Sequence, residues 1–116
     1  MTGDGRRAYG ESGEALAAAW YEAAGYEVVA RNWRCREGEL DLVVRRGRTI
    51  VFCEVKARRT TRFGTPGESI THEKKQRIRH LAARWLREAS GARPGEIRFD
   101  VAAVLDGRVE VVQGAF

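Results

Sequence analysis

The chain has 116 residues, 43% of them apolar and 32% charged, which suits one globular domain with a single core and is too little for two. No run of about 18 apolar residues occurs, and the opening Met1-Thr2-Gly3-Asp4-Gly5-Arg6-Arg7 lacks the apolar centre of a signal peptide. A cytoplasmic protein with no membrane segment is the expectation. The net charge is +5, but residues 31 to 93 alone hold 17 Lys and Arg against 7 Asp and Glu, a net +10, while the segments on either side are −3 and −2. A middle that basic suits a polyanion laid across it, or equally an arginine-rich soluble surface.

In chain order, residues 1 to 9 are Gly-rich and expected to be flexible. A helix is predicted from about Glu11 to Ala24, with Leu16, Trp20 and Ala23 on one stripe and Gly25 ending it. Glu14 falls in its first turn, where the helix dipole favours a carboxylate. Tyr26 to Arg31 reads as a strand, and the polar stretch 32–38 leads on from it. Glu39 to Val44 and Thr49 to Lys56 read as two strands joined by a tight turn at Gly47-Arg48. The second is apolar on both faces up to its end, as a central strand would be. Residues 57 to 70 read as a long basic loop with Arg58, Arg59, Arg62 and Phe63. Thr71 can cap a helix running to about Ala89, whose apolar stripe is Ile78, Leu81, Ala82, Trp85, Leu86 and Ala89. Two further strands, Ile97 to Val104 and Val109 to Gln113, are joined through Asp106-Gly107, a hairpin signal. Asp100 interrupts the first of these and reads as a structural partner of Arg98 or of a helix. Trp33 and Phe63 beside basic segments read as packing against arginine stems ahead of stacking on bases. Cys35 and Cys53 read as free thiols, without the paired spacing of a zinc site.

The chemistry gathers at the central hairpin. With Gly47 at the first position of a type II′ turn, Arg46 pairs with Thr49, and counting outward sets Asp41 opposite Glu54. Lys56, two residues on, shares the face of Glu54. Two carboxylates brought together raise one another's pKa unless a cation lies between them. Hard oxygen donors of this kind suit Mg²⁺ or Mn²⁺. A lysine alongside can act on an attacking water or offset charge on a phosphate. This Asp…Glu-x-Lys pattern is a nuclease hypothesis. On these three residues alone the simpler account is a solvated ion-pairing face at a sheet margin, because structural ion pairs shift pKa values too.

A longer set of motifs carries a family likeness. Gly10-Glu11-Ser12-Gly13-Glu14, Gly25-Tyr26, Arg31-Asn32-Trp33-Arg34, Gly38-Glu39-Leu40-Asp41-Leu42-Val43, Val51-Phe52-Cys53-Glu54-Val55-Lys56-Ala57-Arg58, Phe63-Gly64, Lys75-Gln76, Arg98-Phe99-Asp100-Val101 and Ala115-Phe116 together resemble the YraN-like family of small bacterial endonuclease-like proteins. The resemblance spans nearly the whole chain. It implies a restriction-endonuclease-like α/β domain, a mixed sheet flanked by helices, similar to archaeal Holliday-junction resolvases. By the same resemblance Glu14, Asp41 and Glu54 would surround Mg²⁺ or Mn²⁺, with Lys56 as the catalytic lysine. The expected activity is metal-dependent hydrolysis of DNA of the PD-(D/E)XK type, on branched or otherwise structured DNA, with Arg58, Arg59, Arg62, Lys74 and Lys75 on phosphates. One site cuts one strand, so symmetric resolution of a junction would need a homodimer. The alternative is a nucleic-acid-binding module without cleavage, and a third reading is a partner-binding adaptor using the basic helix.

Overall fold

Among the described residues, five strands form one mixed sheet in the order β1-β2-β3-β4-β5: β1 (Glu27–Cys35), β2 (Gly38–Arg46), β3 (Thr49–Arg58), β4 (Glu96–Leu105) and β5 (Arg108–Val112). In this computed structural model, which describes residues 5–58, 70–90 and 93–116, α1 (Gly5–Ala23) and α2 (His72–Trp85) complete the α/β architecture. A short π-helical segment, Leu86–Ser90, extends α2. Neighbouring strands run antiparallel except β3 and β4, which are parallel and so need the long connection that contains α2.

Turn chemistry accounts for the hairpins. Gly47 has φ +61° and Arg48 stays outside the left-handed region, as a type II′ turn requires, and the pairing Arg46 with Thr49 follows. At the β4–β5 turn both Asp106 (φ +51°) and Gly107 (φ +74°) are left-handed, the type I′ pattern that Asp-Gly favours. The first strand is longer than its apolar part predicts. It runs on through residues 32 to 35, where Trp33 and Cys35 pack against the core and alternate with Asn32 and Arg34, and closes with Cys35 opposite Gly38, its backbone satisfied by pairing with β2. The first helix also starts earlier than expected, at Gly5, since Arg6, Arg7 and Ala8 are good helix formers. Glu14 therefore lies in the third turn of α1, and the dipole argument for a first-turn carboxylate does not apply to it.

Each face of the sheet is covered by one helix, which explains why β3 is apolar on both sides. On one face Ala17, Ala18 and Tyr21 of α1 pack on Leu42, Val44, Val51, Cys53 and Ala102. On the other, Ile78, Leu81, Ala82 and Trp85 of α2 pack on Val43, Ile50 and Phe52. Phe52 is fully buried, edge-on to Trp85 at 5.7 Å and stacked on Phe99 at 5.6 Å between ring centroids. Its burial contributes about 1.5 to 3 kcal/mol. Trp33 packs against the same cluster, so its ring belongs to the core margin. Thr71 caps α2 by accepting the Lys74 N–H at 3.1 Å. No described helix is long and apolar enough to cross a membrane.

Candidate metal centre

Strand β2 loses its regularity at Asp41. Leu42 and Val44 face α1, yet Leu40, two residues before Leu42, packs with Ile78 and Leu81 under α2. Pairing with β1 passes from Arg31–Leu42 to Trp33–Leu40 and skips Asn32 and Asp41, while pairing with β3 stops at Leu42–Cys53. Asn32 has φ +50°, a left-handed conformation that asparagine tolerates better than most residues. Among the described residues, Asp41 alone in β2 has no partner in either neighbouring strand. Its side chain replaces the ladder: the Val55 N–H donates to Asp41 Oδ2 at 2.9 Å.

Continuing the hairpin register places Asp41 across from Glu54, as counted from the turn. Glu54 is buried, at 7% exposure, on the end of a strand whose preceding residues are core. The Asp41 carboxyl is pushed up to about 7, first by loss of solvent and then by the charge of Glu54, with a hydrogen bond between the two carboxyls and the charge of Glu14 adding to it. The bond from the Val55 N–H opposes this rise.

The structure brings in a fourth acid that the sequence reading did not single out. Glu14, Glu39 and Asp41 each present a carboxylate oxygen, and the three oxygens lie within 4.8 Å of one another. The available signal was spacing, since Glu39 stands two residues before Asp41 on the same strand. Arg34 Nε donates to Glu39 Oε1 at 3.0 Å and holds it in place. Glu54 lies outside this triad and meets it through Asp41, whereas its Oε2 is 2.5 Å from Lys74 Nζ. Hard oxygen donors at this separation, around an acid whose proton is held by burial and by the neighbouring carboxylates, fit Mg²⁺ or Mn²⁺.

A cleft of about 240 Å³ opens beside the acids, lined on one side by Gly38, Glu39, Asp41 and Glu54 and on the other by Lys74, Arg77, Ile78 and Leu81 of α2. Lys74 occupies the first turn of α2, where the helix dipole disfavours a cation by about 0.3 to 1 kcal/mol. Its contact with Glu54 offsets that disadvantage. Lys56 follows Glu54 on β3, half-buried and paired in register with Ala103, and is not among the residues lining the cleft. Lys75 is half-buried on α2. Arg58 ends β3, and Arg59, Arg62 and Phe63 lie outside the described residues.

Asp100 belongs to a separate, structural network. It is fully buried and accepts from Tyr21 Oη at 2.6 Å, from Arg98 Nε and Nη2 at 2.8 and 2.9 Å, and from the Gly114 N–H at 3.0 Å. Burial raises the Tyr21 hydroxyl and pushes the Cys53 thiol up to about 12, so both stay protonated. The hydrogen bonds to Asp100 lead the forces that raise Arg98. The network joins α1 to β4 and to the segment after β5.

Residues 13 to 104 match the model of Uncharacterised protein family UPF0102. A UPF0102 protein of Beutenbergia cavernae is 56% identical over 101 residues, covering 87% of this chain and 85% of that one. One of Nocardia farcinica is 55% identical over 100 residues, 86% and 78% of the two chains. One of Acidothermus cellulolyticus is 46% identical over an alignment covering 99% and 98%. The motifs, the matched span and these identities agree, and the chain belongs to UPF0102, the YraN-like family.

Proposed function

We propose that this protein is a metal-dependent nuclease of the PD-(D/E)XK type that hydrolyses phosphodiester bonds in DNA. The observation that carries the reading is the convergence of three carboxylates, Glu14, Glu39 and Glu54, on Asp41, whose pKa is lifted to about 7, opposite the cationic side chains of Lys74 and Arg77. A site with acids on one wall and bases on the other suits a divalent cation and a phosphate together. Glu14, Glu39 and Asp41 would hold Mg²⁺ or Mn²⁺, with Glu54 reaching it beside Asp41. When bound, the cation would make a water acidic enough to attack at neutral pH and offset charge on the phosphate. Lys74 and Arg77 bind the phosphate from the α2 side. The Val55 N–H keeps Asp41 aimed into the cleft. Lys56 donates to the attacking water or to the phosphate oxygen that gains charge. Arg58, Arg59, Arg62 and Lys75 contact phosphates farther along the strand.

Purified wild type and Lys56→Ala are to be incubated with labelled four-way-junction, flap, single-stranded and linear duplex DNA in Mg²⁺, Mn²⁺ or EDTA. Metal-dependent cleavage lost in Lys56→Ala supports the reading. Binding without cleavage under every condition moves the assignment to a non-catalytic nucleic-acid-binding module, which the position of Lys56 outside the cleft lining would favour.

A further inference from the structure

Glu54 and Lys74 differ in how free each is to change partner. The Glu54 side chain is 8% exposed and the Lys74 side chain 40% exposed, although they touch at 2.5 Å. A carboxylate that deep depends on its contact with the Asp41 carboxyl and on a nearby cation, because an unpaired buried charge is strongly disfavoured. The lysine has no such constraint. Its flexible stem can carry the ammonium a few ångströms to another anion within the same cleft, which Arg77 lines from the neighbouring turn of α2. Asp41, bonded to both Glu54 and the Val55 N–H, keeps the Glu54 carboxyl facing that cleft while the lysine moves.

We propose that Lys74 is an exchangeable counter-ion that couples phosphate binding to cation binding. This rests on the nuclease reading of the site. In the free protein the ammonium neutralises Glu54. A nucleic-acid phosphate entering between Lys74 and Arg77 draws the ammonium to itself and leaves Glu54 in need of a cation, which a divalent ion then supplies. Coupling between two ligands is reciprocal, so the cation raises affinity for the phosphate by the same factor.

The test measures Mn²⁺ affinity by titration calorimetry for wild type, Lys74→Met and Lys74→Gln, each alone and with a saturating, uncleavable 12-nucleotide phosphorothioate DNA. Arg87→Gln, which removes one charge from an exposed position beyond the far end of α2, controls for net charge. Wild type is expected to bind Mn²⁺ about tenfold more tightly with the oligonucleotide than without. Both Lys74 variants are expected to bind Mn²⁺ tightly without it and to gain little from it, and Arg87→Gln should follow wild type. Equal Mn²⁺ affinities in wild type and the Lys74 variants, with and without oligonucleotide, overturn the exchange while leaving the nuclease reading standing. Absence of Mn²⁺ binding in every protein overturns both. Thermal unfolding of each variant confirms that the proteins compared are folded, and two replacements of different polarity guard against misfolding of either one.

Discussion

The Val55 N–H donates to Asp41 Oδ2 at 2.9 Å, so the residue between Glu54 and Lys56 fixes the carboxylate on the opposite strand. Where a regular hairpin would spend that donor on a carbonyl of β2, this one spends it on a side chain, and the two strands part at the point where the acids collect.

Stability is therefore expected to depend on pH through Asp41. Its carboxyl rises from an ordinary 3.8 to about 7 in the folded protein, so between these values the native state binds more protons than the unfolded chain. Stability falls as pH rises through that window, and the loss is complete above it. Asp41→Asn removes the titration while keeping an acceptor for the Val55 N–H. The advantage of the variant over wild type should grow from near zero at pH 4 to as much as about 4 kcal/mol at pH 8. Urea denaturation across that range measures it, and a difference independent of pH would refute the assignment.

Glu39 should matter as much as the acids that the motifs point to. Its oxygen lies within 4.8 Å of those of Glu14 and Asp41. Loss of even an outer partner of a metal site weakens binding about 10-fold or more. Glu39→Gln is expected to weaken Mn²⁺ binding at least that much by calorimetry, with a thermal midpoint close to that of wild type.

Asn32 supports the break in β2 from the other side. Its φ of +50° is strained for a β-branched residue, so Asn32→Val should destabilise the protein by roughly 1 to 2 kcal/mol, whereas Asn32→Gly should not. Denaturant midpoints of the two variants decide it. If valine is tolerated, the left-handed turn of β1 is not what parts the strands.

Asp100→Ala tests the division between chemistry and structure. The substitution leaves the Arg98 guanidinium and the buried Tyr21 hydroxyl without their acceptor, and breaking a buried pair in this way costs about 3 to 5 kcal/mol. A large loss of stability is expected in urea. Mn²⁺ affinity, measured where the variant is folded, should be unchanged, and a parallel loss would make Asp100 part of the metal centre.

The hairpin was legible because a two-residue turn fixes pairing by arithmetic, and Arg46 with Thr49 leads outward to Asp41 and Glu54. Both helices were legible from their apolar stripes, as was the structural role of Asp100. Its partner Tyr21 was not, since it lies 79 residues away and only docking of α1 brings it near. Asn32 read as the start of a polar connection because Asn32, Arg34, Arg36 and Glu37 outnumber the apolar residues there, yet β1 continues through it and Trp33 and Cys35 pack against the core. The contact of Lys74 with Glu54 depends on where α2 lands on the sheet, which no local pattern states. Glu39 stood in a motif already quoted, and a count of two along the strand would have joined it to Asp41.

Strands β1, β2 and β3 form an unbroken meander, and Glu39, Asp41 and Glu54 all belong to it. Glu14 and Lys74 arrive on helices that dock on opposite faces. The repelling charges thus share one local unit, and the groups that complete or neutralise them come from elsewhere in the chain. A cation gripped by Glu14 and Asp41 would rivet α1 to the meander, so the amide protons of that helix should exchange with solvent more slowly once the metal is bound, and local opening of α1 would become a route by which the metal escapes.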